Sequence, residues 1–256
     1  MPPESKPTKE LVTRQDRDGV ATLTLSRPEV LNALSPRLFE ELRANVDAIA
    51  DELDTVGCLV LRGEGRSFSS GNDLSAITAG EVAPSPHFQA ETLDAIEALP
   101  QPVIAAVRGH CYTGALELVL ACDLLVASES AKFADTHGRW GMTPTWGMTQ
   151  RLPRRVGLLR AKEMMLTGRV VSGAESAAIG LANACVPDAE LETATDDLVR
   201  TIVANSWHTL RADKKLVNEG QRYTLAEGLA FERSNSTGVT PDTLARLKQF
   251  GSKKRR

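Results

Sequence analysis

The chain has 256 residues, 42% of them hydrophobic and 25% charged, with a formal net charge of -3. This is the make-up of an ordinary globular protein, long enough to bury a sizeable core in one large domain or a domain with an appendage. The slight acidic excess argues against a polyelectrolyte partner, and the apolar segments are broken by Arg108, Glu117 or Asp123, which excludes a membrane span.

The opening MPPESKPTKE is polar and lacks the apolar stretch of a signal peptide, so residues 1–10 are expected to be a flexible leader and the protein to be cytoplasmic. GVATLTLS (19–26) alternates as a strand does. Ser35 and Pro36 then read as N-cap and first residue of a helix to Glu52, with apolar positions at Leu38, Leu42, Val46, Ile49 and Leu53. CLVLRG (58–63) is a buried strand, which completes a β-α-β unit. The theme recurs with a helix near 88–99, a strand at 102–107, a short apolar helix at 114–122 and a strand at 123–128. Alternating elements make the fold class α/β. The stretch FADTHGRWGMTPTWGMTQRLPRR (133–155) reads as loop. Helices are expected from about 157, and three further amphipathic segments after 190, with too much exposed charge to form a core of their own. Four cysteines, Cys58, Cys111, Cys122 and Cys185, sit irregularly and mostly in apolar runs, as reduced, buried thiols do.

Two glycine-containing loops follow strands, the place where ligands meet an α/β sheet. In RGEGRSFSSGNDLSAI (62–77), Gly63-x-Gly65 lacks the third glycine of a dinucleotide fingerprint because Phe68 stands there, and neither a phosphate-binding Gly-Lys-Ser/Thr nor a G-x-S-x-G elbow is present. On its own, Ser70 to Asp73 is an ordinary turn. The second loop, RGHCYTGALELVLACD (108–123), carries an anomaly: Glu117 lies inside an otherwise apolar helix with no cation one turn away. A buried carboxylate is costly when ionised, and its pKa rises toward the range of a general acid or base. A solvent gap or a distant arginine would explain it equally well. Free N–H groups where the helix starts, at Gly114, are suited to an oxyanion. His110 and Cys111 are adjacent and do not point together, which argues against a thiol nucleophile.

In this order, SRPEVLNAL, SFSSGNDL, PVIAAVRGHCYTGALELVLACDLLVAS, PTWGMTQRLPRRVG, LTGRVVSGAESAAIGLANACVP and LAEGLAFER resemble the enoyl-CoA hydratase/isomerase (crotonase) family, over roughly residues 10–235. The resemblance implies a crotonase-like spiral of repeated ββα units over residues 11–200. A helical region, 201–256, would serve trimerisation, giving a homotrimer or a dimer of trimers. The implied ligand is an acyl-CoA thioester, so coenzyme A is part of the substrate, and neither a cofactor nor a metal is called for. The N–H groups of Asn72 and Gly114 would form the oxyanion hole; loss of one such donor costs roughly 3–4 kcal/mol elsewhere. Ser70, Asp73 and Leu74 would shape the adenine pocket and CoA tunnel, with Leu31 to Ala33 along the pantetheine. Ser75 stands where many members carry a lysine near the CoA phosphates.

Glu117 falls on the first catalytic glutamate of the hydratases; position 137, where the second belongs, is histidine. Imidazole can donate or accept a proton near neutrality, with different reach and charge. Asp135 would orient it if the segment were extended. Trp140 and Trp146 are expected to line or cover the acyl pocket. Three readings follow: a hydratase in which Glu117 activates water and His137 assists; an enzyme of another reaction, such as isomerisation, thioester or C–C hydrolysis or decarboxylation; or a weakly active acyl-CoA-binding subunit. The cost of keeping Glu117 in its helix argues against the last. The basic tail SKKRR suggests RNA less than it suggests a solvated terminus, given the acidic whole.

Overall fold

The computed structural model describes residues 9–253. Most of the expected leader and the last three residues of the basic tail lie outside the described residues.

A strand unmarked by hydropathy comes first. Residues VTRQDR form β1 (Val12–Arg17), antiparallel to β2 (Val20–Leu25), with Val12 opposite Leu25 and Arg17 opposite Val20. Asp18 and Gly19 turn the chain with positive φ at both positions (50° and 79°), the geometry a two-residue hairpin favours. β1 is the edge of a six-stranded sheet, where charged side chains guard against further pairing.

From β2 onward the sheet is parallel, in the order β2, β3 (Cys58–Gly63), β4 (Val103–Val107), β6 (Leu124–Ser128) and β9 (Ala184–Val186). A small second sheet joins β5 (His110–Tyr112), β7 (Lys132–Ala134) and β8 (Val171–Ser172). β4 is thus followed by β5 and then by α4 (Gly114–Leu120), and β6 by β7. Each of these two coils lays one strand in each sheet before its helix. Single bridges, Leu34 to Asn72 and Ser69 to Cys111, continue the second sheet into the earlier coils. The expected spiral of ββα units is this arrangement.

Helix α1 (Pro36–Asp51) begins as expected, with Ser35 Oγ accepting the Leu38 N–H at 3.3 Å, and it buries Leu38, Phe39, Leu42, Val46 and Ile49. It packs with α3 (Phe88–Ala98) on one face of the large sheet, over the main core; the short α2 (Leu74–Thr78) follows the Ser70–Asp73 turn. Of the stretch read as loop, residues Met148–Val156 are helix α5. Pro153 within it removes one backbone donor and hides the helix from a pattern reading. The Arg155 guanidinium donates to the Cys122 carbonyl at 2.7 Å, so α5 is fastened to the end of α4.

α6 (Leu158–Thr167) and α7 (Gly173–Ala178) lead to β9. Four helices follow rather than three: α8 (Leu191–Val203), α9 (Trp207–Gly220), α10 (Leu225–Asn235) and α11 (Thr243–Lys253). α8 covers the second face of the sheet through Leu191 and Val199. α9 holds the body by Trp207, whose ring occupies the space a side chain at Gly57 would need, and by Lys214, 2.7 Å from Asp123 Oδ2. No residue of α9 or α10 is fully buried.

All four cysteines are free thiols, and Cys58, Cys111 and Cys122 are buried. Burial pushes Cys58 and Cys122 up to about 12, far from a reactive thiolate. Cys111 faces the core while His110 Nδ1 meets Ser67 Oγ at 2.9 Å, so the adjacent pair does diverge. Among the described residues no helix is long and apolar enough to cross a membrane.

Candidate active site

All seven residues of α4 are buried, including Glu117, whose side chain is 1% exposed. The link from β5 into α4 is Thr113, at φ 51° and ψ -109°, a conformation a β-branched residue avoids. Three hydrogen bonds hold it there. Its N–H donates to Ala134 O at 2.8 Å, its hydroxyl lies 2.5 Å from Thr136 Oγ1, and the same oxygen accepts the Thr136 N–H at 3.2 Å. Next to this link runs the Ser70–Asp73 turn. Gly71 has φ 96°, and a Cβ there would lie 2.5 Å from Tyr112 O and 3.5 Å from Gly114 N. Only glycine permits that approach, and it brings Asn72 and Gly114 to one cavity of about 550 Å³. As the first residue of α4, Gly114 has no carbonyl of its own helix to meet its N–H.

Glu117 Oε1 accepts the backbone N–H groups of Trp146 at 3.0 Å and Met148 at 3.1 Å. The partners that pattern reading could not find therefore come from 29 and 31 residues away. Oε2 faces His137 Nε2 at 3.7 Å. Burial pushes the Glu117 carboxyl up from its ordinary range, and the two amides and His137 only partly offset it.

His137 opens a 3-10 turn running to Trp140. Its Nδ1 lies 2.6 Å from Asp135 Oδ1, and the same oxygen accepts the His137 N–H at 3.1 Å. The segment is not extended, as a pairing of residues two apart was expected to need: Thr136 turns the chain at φ -104° and ψ 10°, and the aspartate reaches forward over that turn.

Of the residues expected to touch the ligand, Ala33, Ser70, Asn72, Asp73, Leu74, Gly114, Glu117, His137 and Trp140 line this cavity together. Leu31 stands outside its lining. Its left-handed backbone (φ 52°) instead turns its carbonyl to the Ser70 N–H at 2.9 Å. Asp73 lines the wall, but its carboxylate is engaged internally: Oδ2 meets Arg27 Nη1 at 2.8 Å, and Oδ1 caps α2 through the Ser75 and Ala76 N–H groups. Burial pushes this carboxyl up, yet hydrogen bonds from Ser75 and Arg27 hold it below the usual range. Ser75 thus serves Asp73. Trp140 stands at the mouth, 58% exposed, and Trp146 lies inside, edge-on to Phe39 at 5.1 Å. A larger cavity of about 700 Å³ lies on the opposite face of the large sheet beneath α8, away from Glu117 and His137.

Sequence reasoning had Asn32 only as part of the pantetheine stretch and missed its buried role, in which Nδ2 donates to the carbonyls of Glu64, Ser67 and Phe68 and ties the coils beside the site. It also missed Arg27, Thr113 and Thr136. Asn32 and Arg27 lie in the quoted SRPEVLNAL and were legible there as polar residues beside an apolar run; nothing in the sequence marks the strained backbone of Thr113.

Asn72, Gly114 and the buried Glu117 thus line one cavity, and comparison with known proteins says which family carries this fold. Residues 15–246 match the model of a family described as enoyl-CoA hydratase/isomerase. The chain belongs to that family. Among curated members of the enoyl-CoA hydratase/isomerase family, it is 32% identical over 253 residues to a probable peroxisomal enoyl-CoA hydratase of Arabidopsis thaliana, covering 94% of each chain. It is 36% identical over 244 residues to a putative enoyl-CoA hydratase/isomerase of Bacillus subtilis, covering 93% of this chain and 94% of the other. Crystal structures give the same fold. An enoyl-CoA hydratase from Bacillus anthracis matches with TM-score 0.89 at 33% identity, over 95% of this chain and 96% of that one. A putative enoyl-CoA hydratase from Thermobifida fusca, solved with acetoacetyl-CoA, matches with TM-score 0.79 at 34% identity, over 94% and 96% of the two chains. The protein is a hydratase-like enzyme of the enoyl-CoA hydratase/isomerase family.

Proposed function

We propose that the protein hydrates a trans-2-enoyl-CoA to the 3-hydroxyacyl-CoA through a thioester enolate, with His137 in place of the second catalytic glutamate. One observation carries this reading: Glu117 Oε2 and His137 Nε2 face each other at 3.7 Å in the cavity that Asn72 and Gly114 also line. That gap exceeds a direct hydrogen bond and suits one water at about 2.8 Å from each atom. The N–H groups of Asn72 and Gly114 bind the thioester oxygen, where negative charge grows as water adds at C3. Glu117 and His137 between them take a proton from the water and return one to C2. The acetoacetyl-CoA bound by the Thermobifida fusca relative supports an acyl-CoA ligand here. Ala33, Ser70, Asp73 and Leu74 would hold the coenzyme portion and Trp140 would cover the acyl group. No metal or separate cofactor enters the reaction.

The assembly is proposed as a homotrimer or a dimer of trimers, acting in the cytoplasm. The C-terminal helices support it, since they leave Val217, Leu225, Leu229, Leu244 and Leu247 exposed in the single chain.

The test is loss of the conjugated-thioester absorbance of crotonyl-CoA and longer trans-2-enoyl-CoAs. Turnover with formation of the 3-hydroxyacyl-CoA is expected; tight CoA binding without turnover at micromolar enzyme would overturn the reading.

A further inference from the structure

Asp135 stands against one nitrogen of the His137 ring while the other nitrogen faces Glu117. Asp135 is 2% exposed, follows directly on β7, and places one oxygen against both Nδ1 (2.6 Å) and the backbone N–H (3.1 Å) of His137. Among the described residues it has no lysine or arginine ion-pair partner: Arg139, four residues on, turns its Nη2 to the Gly168 carbonyl at 2.6 Å. The same Asp135 oxygen already accepts the backbone N–H, and as an acceptor it pairs with a proton on Nδ1. The lone pair is then on Nε2, the atom that faces Glu117 across the gap.

We propose that Asp135 is a positioning residue that fixes His137 as the Nδ1–H tautomer and thereby makes Nε2 the acceptor of the water's proton, leaving Glu117 to supply the proton at C2. The second half rests on the hydratase reading; the tautomer does not. In balance, an O–H bond of water breaks, its proton goes to Nε2 and its oxygen bonds C3. The C2–C3 π pair passes into the enolate, and the O–H bond of protonated Glu117 then breaks to form C2–H. The imidazolium returns its proton to the Glu117 carboxylate, so the net change is addition of one water. The backbone N–H of His137 holds the aspartate oxygen in the direction of the ring, which is why a two-residue spacing suffices.

The experiment is a long-range ¹H–¹⁵N NMR correlation on ¹⁵N-histidine-labelled full-length protein at neutral pH, with the His137 signals assigned by their loss in His137→Gln. The Nδ1–H pattern is expected in the wild type. Asp135→Ala should move His137 toward the Nε2–H tautomer and lower kcat for crotonyl-CoA by more than about tenfold, with KM changed less than about threefold. Asp135→Asn keeps an oxygen where both N–H groups point, so it should retain the Nδ1–H tautomer and recover part of kcat. An Nε2–H wild type overturns the proposal, as does an Asp135→Ala protein with tautomer and kcat unchanged. If Asp135→Ala fails to fold, the wild-type and Asp135→Asn spectra still decide. A wild type with the Nδ1–H tautomer but no enoyl-CoA turnover supports the positioning role and removes the hydratase reading instead.

Discussion

Nε2 of His137 and Oε2 of Glu117 stand 3.7 Å apart, each held from behind by a different part of the chain: His137 by Asp135, Glu117 by the Trp146 and Met148 amides. Neither group can swing away without breaking a buried hydrogen bond. Such fixed geometry is what the proposed action of the two groups on one water would need.

Removing either group should therefore slow chemistry more than binding. His137→Ala is expected to lower turnover of crotonyl-CoA by more than about tenfold, and Glu117→Gln by roughly a hundredfold or more. Steady-state kinetics check both. An unchanged rate in His137→Ala would make the residue a packing element.

Glu117 also has a stability consequence with a definite sign. Its folded carboxyl titrates above the unfolded one, chiefly because it is buried, so the native state binds more protons than the unfolded chain between the two values. Native stability then falls as pH rises through that window, and the deficit persists above it. Glu117→Gln keeps an oxygen for the Trp146 and Met148 amides and cannot ionise. It is expected to melt higher than the wild type at pH 7–8, with the difference shrinking toward pH 4; each kcal/mol recovered appears as roughly 2–4 °C. Thermal melts across pH would refute the argument if the variant melted lower at neutral pH.

Gly114 is constrained by contact rather than by backbone angle. A Cβ there would lie 2.4 Å from the Trp146 ring, so Gly114→Ala must displace the indole that abuts the helix start. The expected result is destabilisation of about 1–3 kcal/mol and a drop in kcat of roughly 10²-fold or more. Pairing it with Trp146→Ala should restore much of the melting temperature; the rate should stay low if Trp146 also shapes the acyl pocket.

A change at Asp73 should separate ligand grip from chemistry. Asp73→Ala removes the α2 cap, worth about 1 kcal/mol, and leaves the Arg27 guanidinium without its carboxylate. KM for an acyl-CoA is expected to rise several-fold with kcat nearly kept. A fall in kcat at unchanged KM would place Asp73 in the chemistry instead.

Much of this was legible in the sequence wherever local pattern decides structure. Ser35-Pro36 announced α1, and continuous apolar runs marked β3, β4, β6 and α4. Glu117 was conspicuous because its helix is otherwise apolar. What stayed hidden depends on contacts between distant segments. β1 is a strand because β2 lies beside it, since its own residues are mostly polar. The amides that hold Glu117 come from a stretch that reads as loop, and α5 within it carries a proline. Leu31, which the family resemblance ran along the pantetheine with Ala33, has a left-handed backbone and lies outside the cavity lining, and no local pattern announces that backbone.

The Asp135–His137 contact also bears on what position 137 can hold. A carboxylate introduced alone at position 137 would sit beside the Asp135 oxygen that now accepts the Nδ1–H, and two like charges in a buried pocket repel. His137→Glu alone is therefore expected to destabilise the site, and an accompanying Asp135→Gln to relieve it.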